Sequence, residues 1–290
     1  MQKEAGFAEV SDTRLYYEVA GSGDPLVLIH GMTLDTRMWD DQFEPLAHQY
    51  RVVRYDVRGF GKSALPTAGT PYAHTDDLKA LLNHLDIARA FILGLSMGGG
   101  IAIDFAVAHP EATEALISVD SRLNGWQPDS EFAAYLSAVR ARAGEAGIQA
   151  ARDAWIYSAM FKPALENQTV AYRLVQIIGD YSGWHWVNDN PLRTPDPPAA
   201  QRLHTIRVPT LIVIGEQDVP DCQAIAETLH QRIPNARKMV MARVGAYVKY
   251  GGSGTIQCAR IGLPGGTTTH GLTSGSSGPR TSLDKVDTFS

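Results

Sequence analysis

The chain has only two cysteines in 290 residues, Cys222 and Cys258. That scarcity excludes a disulfide framework and points to a reducing, cytoplasmic setting. No apolar run approaches the length of a membrane span. The opening residues Met1-Gln2-Lys3-Glu4-Ala5 lack the apolar stretch of a signal peptide, so no membrane partner is expected. An excess of positive charge is also missing. With 26 Lys and Arg against 31 Asp and Glu the net charge is -5, which gives no electrostatic basis for a nucleic-acid partner. Internal repeats are absent too. What is present is 44% hydrophobic and 20% charged residues, the composition of a globule able to bury one substantial core with an inserted subdomain.

Apolar runs alternate with helical patterns from the start, which predicts an α/β sheet. Residues 7–20 read as a hairpin-like pair turning at Ser11-Asp12. Strands are expected at Pro25–His30, Arg51–Tyr55, 90–95, Glu114–Asp120, Pro209–Gly215 and Ala236–Met241. Helices are expected over 36–48, 73–86, the segment from Gly99 to His109-Pro110, and 221–232. Leu78, Leu81, Leu82 and Leu85 recur at i, i+3, i+4 and i+7 in the second of these. Strand signals vanish between 121 and 205, where helical patterns and Trp126, Trp155, Trp184 and Trp186 predict an inserted helical lid. The domain reading is therefore a core of 1–120 and 206–242, a lid of 121–205, and a tail of 243–290. About half of that tail is Gly, Ser or Thr, a composition expected to stay disordered.

Directly after the strand run Ala90-Phe91-Ile92-Leu93 stands Gly94-Leu95-Ser96-Met97-Gly98-Gly99, a G-x-S-x-G between strand and helix. Small residues on either side let a sharp turn push the Ser96 hydroxyl out above the sheet, and the helix start offers N–H groups to a developing oxyanion. Acyl transfer by serine also needs a base and an acid to orient it. Asp218, in Gly215-Glu216-Gln217-Asp218 after a strand, is the candidate acid; Glu216 and Asp120 are lesser ones. A solvated loop carboxylate or a helix cap is the plainer reading of Asp218. Gly31 allows the Met32 N–H to join that of Met97 as the oxyanion hole. His30 reads as a packed, hydrogen-bonded histidine. The loop Asp56-Val57-Arg58-Gly59-Phe60-Gly61-Lys62-Ser63 lacks Walker spacing, so it reads as a structural turn in which Asp56 and Arg58 satisfy buried backbone groups.

HGM at 30–32, DVRGFGKS at 56–63, GLSMGG at 94–99 and GEQDVP at 215–220 together resemble the α/β-hydrolase superfamily over residues 7–241. Within it the chain is similar to carboxylesterases and oxoadipate enol-lactonases, and also to carbon–carbon-bond hydrolases. The resemblance implies a mostly parallel sheet flanked by helices, a helical cap, no cofactor, no metal, and a small ester or lactone as substrate. Serine at the elbow sets aside the dehalogenase and epoxide-hydrolase chemistries, which place aspartate there.

The family carries its histidine in a G-H-M-like segment after the last strand. Here Arg243-Val244-Gly245-Ala246-Tyr247-Val248 puts alanine in that place, and the histidines after Asp218 are His230, in a helical pattern, and His270, in the tail. Read one base later, the codons permitted for Ala242 to Gly265 allow the string P-G-S-G-H-M-S-N-M-E-D-P-E-R-F-N-A-L-V-L-D-F-L after Met241. It holds the family's histidine, its E-D-P-E-x-F-N segment and a closing amphipathic helix. The expectation is a serine hydrolase whose native C-terminus was replaced by an out-of-frame tail. The competing readings are a carbon–carbon-bond hydrolase with the same triad and a non-catalytic binder on a hydrolase scaffold.

Overall fold

Uninterrupted apolar runs become the middle of a sheet. The computed structural model describes residues 3–10, 12–128 and 130–242; the 243–290 tail, with Ala246 and His270, lies outside them. Eight strands form one sheet: β1 (Lys3–Val10), β2 (Thr13–Ala20), β3 (Pro25–Ile29), β4 (Arg51–Tyr55), β5 (Ala90–Leu95), β6 (Thr113–Val119), β7 (Thr210–Gly215) and β8 (Ala236–Met241). Their order is β1-β2-β4-β3-β5-β6-β7-β8, with β2 antiparallel to both its neighbours and every other pairing parallel. All of β5 is buried, as helices on both faces of a parallel sheet require. At the edges the pattern alternates, as in KEAGFAEV of β1 and ARKMVM of β8.

Helices α1 (Asp40–Ala47), α2 (His74–His84) and α3 (Met97–Ala108) link the first strands, and α9 (Pro220–Arg232) links β7 to β8. The helix expected over 36–48 opens instead as a 3-10 turn, Thr36–Trp39, because the Asp35 side chain caps the Arg37 N–H at 2.9 Å and tightens the entry. Between β6 and β7 lie α4 (Ser130–Ile156), α5 (Lys162–Leu165), α6 (Gln168–Asp180), α7 (Trp184–Val187) and α8 (Ala199–Arg202). This stretch holds no named strand among the described residues, only an isolated bridge from Leu192 to Tyr72. Helix α4 breaks at Gly147, whose φ of 86° a side chain would resist.

The inserted helices sit on the core through aromatic side chains. Trp155 stacks on Tyr135 at 5.7 Å and meets Phe161 and Trp186. Tyr181 and His185 stack on Phe60, with His185 at 4.5 Å. Phe60 belongs to the 56–63 turn, so that turn is the floor on which the insertion rests. Inside it Asp56 takes N–H bonds from Thr36 and Lys62 at 2.7 and 2.8 Å, as expected of a backbone-satisfying acid. Arg58 behaves differently from its expectation. It pairs with the Asp77 carboxylate at 2.6 Å and with Asp12 at 2.8 Å, because a guanidinium fork matches a carboxylate better than isolated carbonyls.

Candidate active site

Ser96 occupies the junction of β5 and α3 with φ 54° and ψ -112°, a conformation side chains rarely adopt. The surroundings hold it there. The Ser96 N–H bonds the Val119 carbonyl at 2.9 Å, and its own carbonyl accepts from Gly100 and Arg122 at 3.0 and 3.1 Å. A Cβ on Gly94 would collide with the Gly98 carbonyl, and one on Gly98 with the carbonyls of Ile29 and His30. These two glycines let the turn close against β3. Met97 is the first residue of α3, where helical N–H groups have no partner within the helix.

Across from this junction is the loop after β3. His30 is fully buried; its Nδ1–H donates to the Gly31 carbonyl at 2.8 Å and its Nε2 accepts from the Val57 N–H at 2.9 Å. Both ring nitrogens are spent on backbone and burial pushes its pKa down, so His30 is the packed histidine expected. Thr33, at φ 64°, donates its hydroxyl to the Met32 carbonyl at 2.6 Å and accepts from Trp155 Nε1 at 2.8 Å. The loop after β3 is thus tied to an inserted helix, a link between residues far apart that no local sequence signal announces.

Asp218 stands in the turn after β7, its N–H on the Gly215 carbonyl at 3.2 Å. It is 9% exposed, so it is no solvated loop acid, and the residue capping α9 is Val219. Oδ1 accepts from the Val219 N–H at 2.7 Å, while Oδ2 is buried and takes no bond from an N–H or hydroxyl. Burial pushes this carboxyl up; hydrogen bonds with the Asp120 carboxyl and the Val219 N–H pull against it. Asp120 lies at the end of β6, 3% exposed, and accepts from the Gly215 N–H at 3.2 Å. Glu216 is exposed and stands outside this pair.

Two cavities flank the junction. The smaller, about 60 Å³, is lined by Ser96 together with Met32, Trp126, Trp155, Val219 and Cys222. It therefore brings Ser96 to the segment that directly follows Asp218. The larger, about 220 Å³, is lined by Met97, Gly100, Ile101 and Asp104 of α3, and by His74, His185 and Asn124; Met32 and Arg122 border both cavities. No histidine among the described residues lines the smaller cavity. Burial holds His74 at about 3 and His185 at about 4, leaving both neutral and weakly basic. His230 lies in α9, exposed, as its helical pattern implies. No cluster of three or more potential metal ligands occurs among the described residues, and none of the described helices is long and apolar enough to cross a membrane.

Asp104 belongs to no motif of the chain. It is 6% exposed in the otherwise apolar helix MGGGIAIDFAVA, and that lone acid was the available signal.

Comparison with known proteins agrees with the architecture. The family model described as alpha/beta hydrolase fold matches residues 24–252. A putative carbamate hydrolase, RutD of Azorhizobium caulinodans, is 28% identical over 239 residues, 80% of this chain and 87% of that protein. An esterase structure from Thermogutta terrifontis superposes with a TM-score of 0.71 at 26% identity, covering 90% of this chain and 95% of its own. The enol-lactonase of Burkholderia xenovorans LB400 gives a TM-score of 0.70 at 24% identity, over 84% and 93% of the two chains, and adds support for the fold. The chain belongs to the α/β-hydrolase superfamily, whose members among these relatives are hydrolases.

Proposed function

We propose that the protein is built as a serine hydrolase for a small carboxylic ester or lactone, with Ser96 as nucleophile. The observation that carries this is the strained Ser96 backbone, wedged between Gly94 and Gly98 at the mouth of a cavity. Strain persists at a turn only where the surroundings over-determine it, and here the strained residue lines that cavity. In the reaction the Ser96 Oγ attacks the carbonyl carbon, its proton passes to a histidine, and the N–H groups of Met32 and Met97 hold the oxyanion. The alcohol leaves with that proton; water then releases the acid from the acyl-enzyme. Asp218 receives the histidine's Nδ1–H, a reading supported by its buried Oδ2, which takes no bond from an N–H or hydroxyl among the described residues, and helices α4–α8 act as the cap.

The base is what the described residues do not supply. We propose that it was encoded in the alternative reading frame after Met241 and that Ala246 stands in its place. Resequencing the gene through codons 240–265 tests this, and wobble bases incompatible with the alternative string would end it. Until a base is restored, Ser96 stays protonated near neutral pH and turnover is crippled.

The chemical test of the nucleophile is direct. Prolonged exposure to an organophosphonate should leave an adduct on the Ser96 peptide, formed slowly and absent after Ser96→Ala. An adduct elsewhere, or none on the chain whose residues 242–290 are restored to the alternative frame, overturns the assignment. A second reading, a non-catalytic binder, is favoured by the absence of an imidazole around Ser96 among the described residues; tight binding of a small ester by a frame-verified chain without turnover would support it.

A further inference from the structure

Arg37, Arg54, Arg58, Arg89 and Arg173 each pair with a carboxylate at 2.5–2.9 Å. Arg122 pairs with no carboxylate among the described residues. On open surface that would be ordinary, since water solvates the charge. Arg122 stands elsewhere. Its backbone N–H donates to the Ser96 carbonyl at 3.1 Å, which pins it beside the candidate nucleophile. Its guanidinium carbon lies 5.4 Å from the centre of the Phe132 ring. Phe132 and Ser96 line the smaller cavity, and Arg122 lines both. The side chain keeps an exposed surface, yet the packing around it pushes its pKa down, against smaller pulls from Cys222 and Asp221.

The larger cavity adds to this charge. Arg140 lines it, bonded to the His185 carbonyl at 3.3 Å, and so does Arg193, in a loose pair with Asp76 at 3.6 Å. Asp104 is its acidic lining residue among those described, and burial pushes that carboxyl up to about 7. His74 and His185 are neutral there. Near pH 6 three guanidiniums therefore face a mostly protonated acid, in a chain whose net charge is -5. Asp221 lines the smaller cavity, where it accepts from Trp126 Nε1 at 3.1 Å, so an anion is directed to the larger one.

We propose that the substrate is an ester or lactone that also bears a carboxylate, and that the Arg122 guanidinium binds this carboxylate at the larger cavity and so determines specificity. A guanidinium fork meets a carboxylate with two parallel N–H bonds, and the field of the cavity draws an anion toward it. The proposal rests on the hydrolase reading only in taking Ser96 as the position of the reacting carbonyl.

Binding of 5-oxohexanoate and 5-oxohexanamide to the full-length chain, at pH 6 and low salt, tests it. The two match in size and differ in charge, and neither is an ester or lactone, so the result does not depend on turnover. The carboxylate should bind about tenfold more tightly or better. Arg122→Gln should bring the two within about twofold, while Arg122→Lys, a charge without the fork, should keep part of the preference. Equal affinities for the native chain, failure of both to bind, or a preference that survives Arg122→Gln would each overturn the proposal. Should Arg122→Gln not fold, the Arg122 Nε–H resonance of the native chain decides. It should shift on adding the carboxylate and not the amide, and the absence of a shift counts against the proposal. Failure of Ser96 to take the organophosphonate would bear on the nucleophile alone, so the two readings fail separately.

Discussion

The Trp155 indole donates its Nε1–H to Thr33 Oγ1 at 2.8 Å, across 122 residues of chain. Thr33 passes the constraint to the Met32 carbonyl at 2.6 Å, so the inserted helix α4 holds the loop that carries the Met32 N–H. Thr33 sits at φ 64°, where a β-branched residue is strained and needs outside support.

Trp155→Phe keeps an aromatic ring of smaller size and removes the donor. Urea unfolding should show a loss of about 1–2 kcal/mol, the size of one buried hydrogen bond together with relaxation of the strained turn. An unchanged midpoint and slope would mean that the loop holds its conformation without the insertion.

Asp104→Asn should change stability in a pH-dependent way. Burial pushes the Asp104 carboxyl up to about 7 from an unfolded value near 3.8. A raised acid binds its proton more tightly when folded, so its contribution is complete below about 3.8 and is lost as pH rises through 7. Asparagine cannot ionise. The variant should therefore gain about 2 kcal/mol on the native protein between pH 5.5 and 8.5, read as a Tm difference that widens toward alkali. A difference that narrows toward alkali would show that Asp104 is stabilised as the anion.

Glycine positions give a matched pair of opposite sign. A Cβ at Gly98 meets the carbonyls of Ile29 and His30, whereas nothing lies within 4 Å of one at Gly144 in α4. Gly98→Ala should cost about 3 kcal/mol or prevent folding, and Gly144→Ala should stabilise by several tenths to about 1 kcal/mol. Thermal unfolding of the two variants checks both, and equal shifts would contradict the packing of the Ser96 junction.

Much of this was legible in the chain. The runs Leu26-Val27-Leu28-Ile29 and Phe91-Ile92-Leu93 announce themselves because central parallel strands are buried on both faces. The sharp turn at Ser96 was legible because the glycines it requires stand at fixed offsets. The burial of Asp218 was not, since Glu216-Gln217-Asp218 is polar throughout and only the fold shows which carboxyl turns inward. Nor was the pairing of Asp218 with Asp120, which depends on β6 and β7 lying side by side. The Arg58–Asp77 pair and the Trp155–Thr33 bond join residues whose separation carries no periodic signal.

Ala246→His alone should restore little turnover, because a catalytic imidazole must be held by the segment after it, and misplacement on the order of 1 Å can already cost about a hundredfold. The decisive measurement is hydrolysis of a simple aryl ester by the chain whose residues 242–290 are replaced with the frame-restored sequence. The expected result is a gain of up to about a million-fold over the present chain, the cost of losing the base in a serine protease, and its abolition by Ser96→Ala. No gain on replacement, or activity that survives Ser96→Ala, would contradict it.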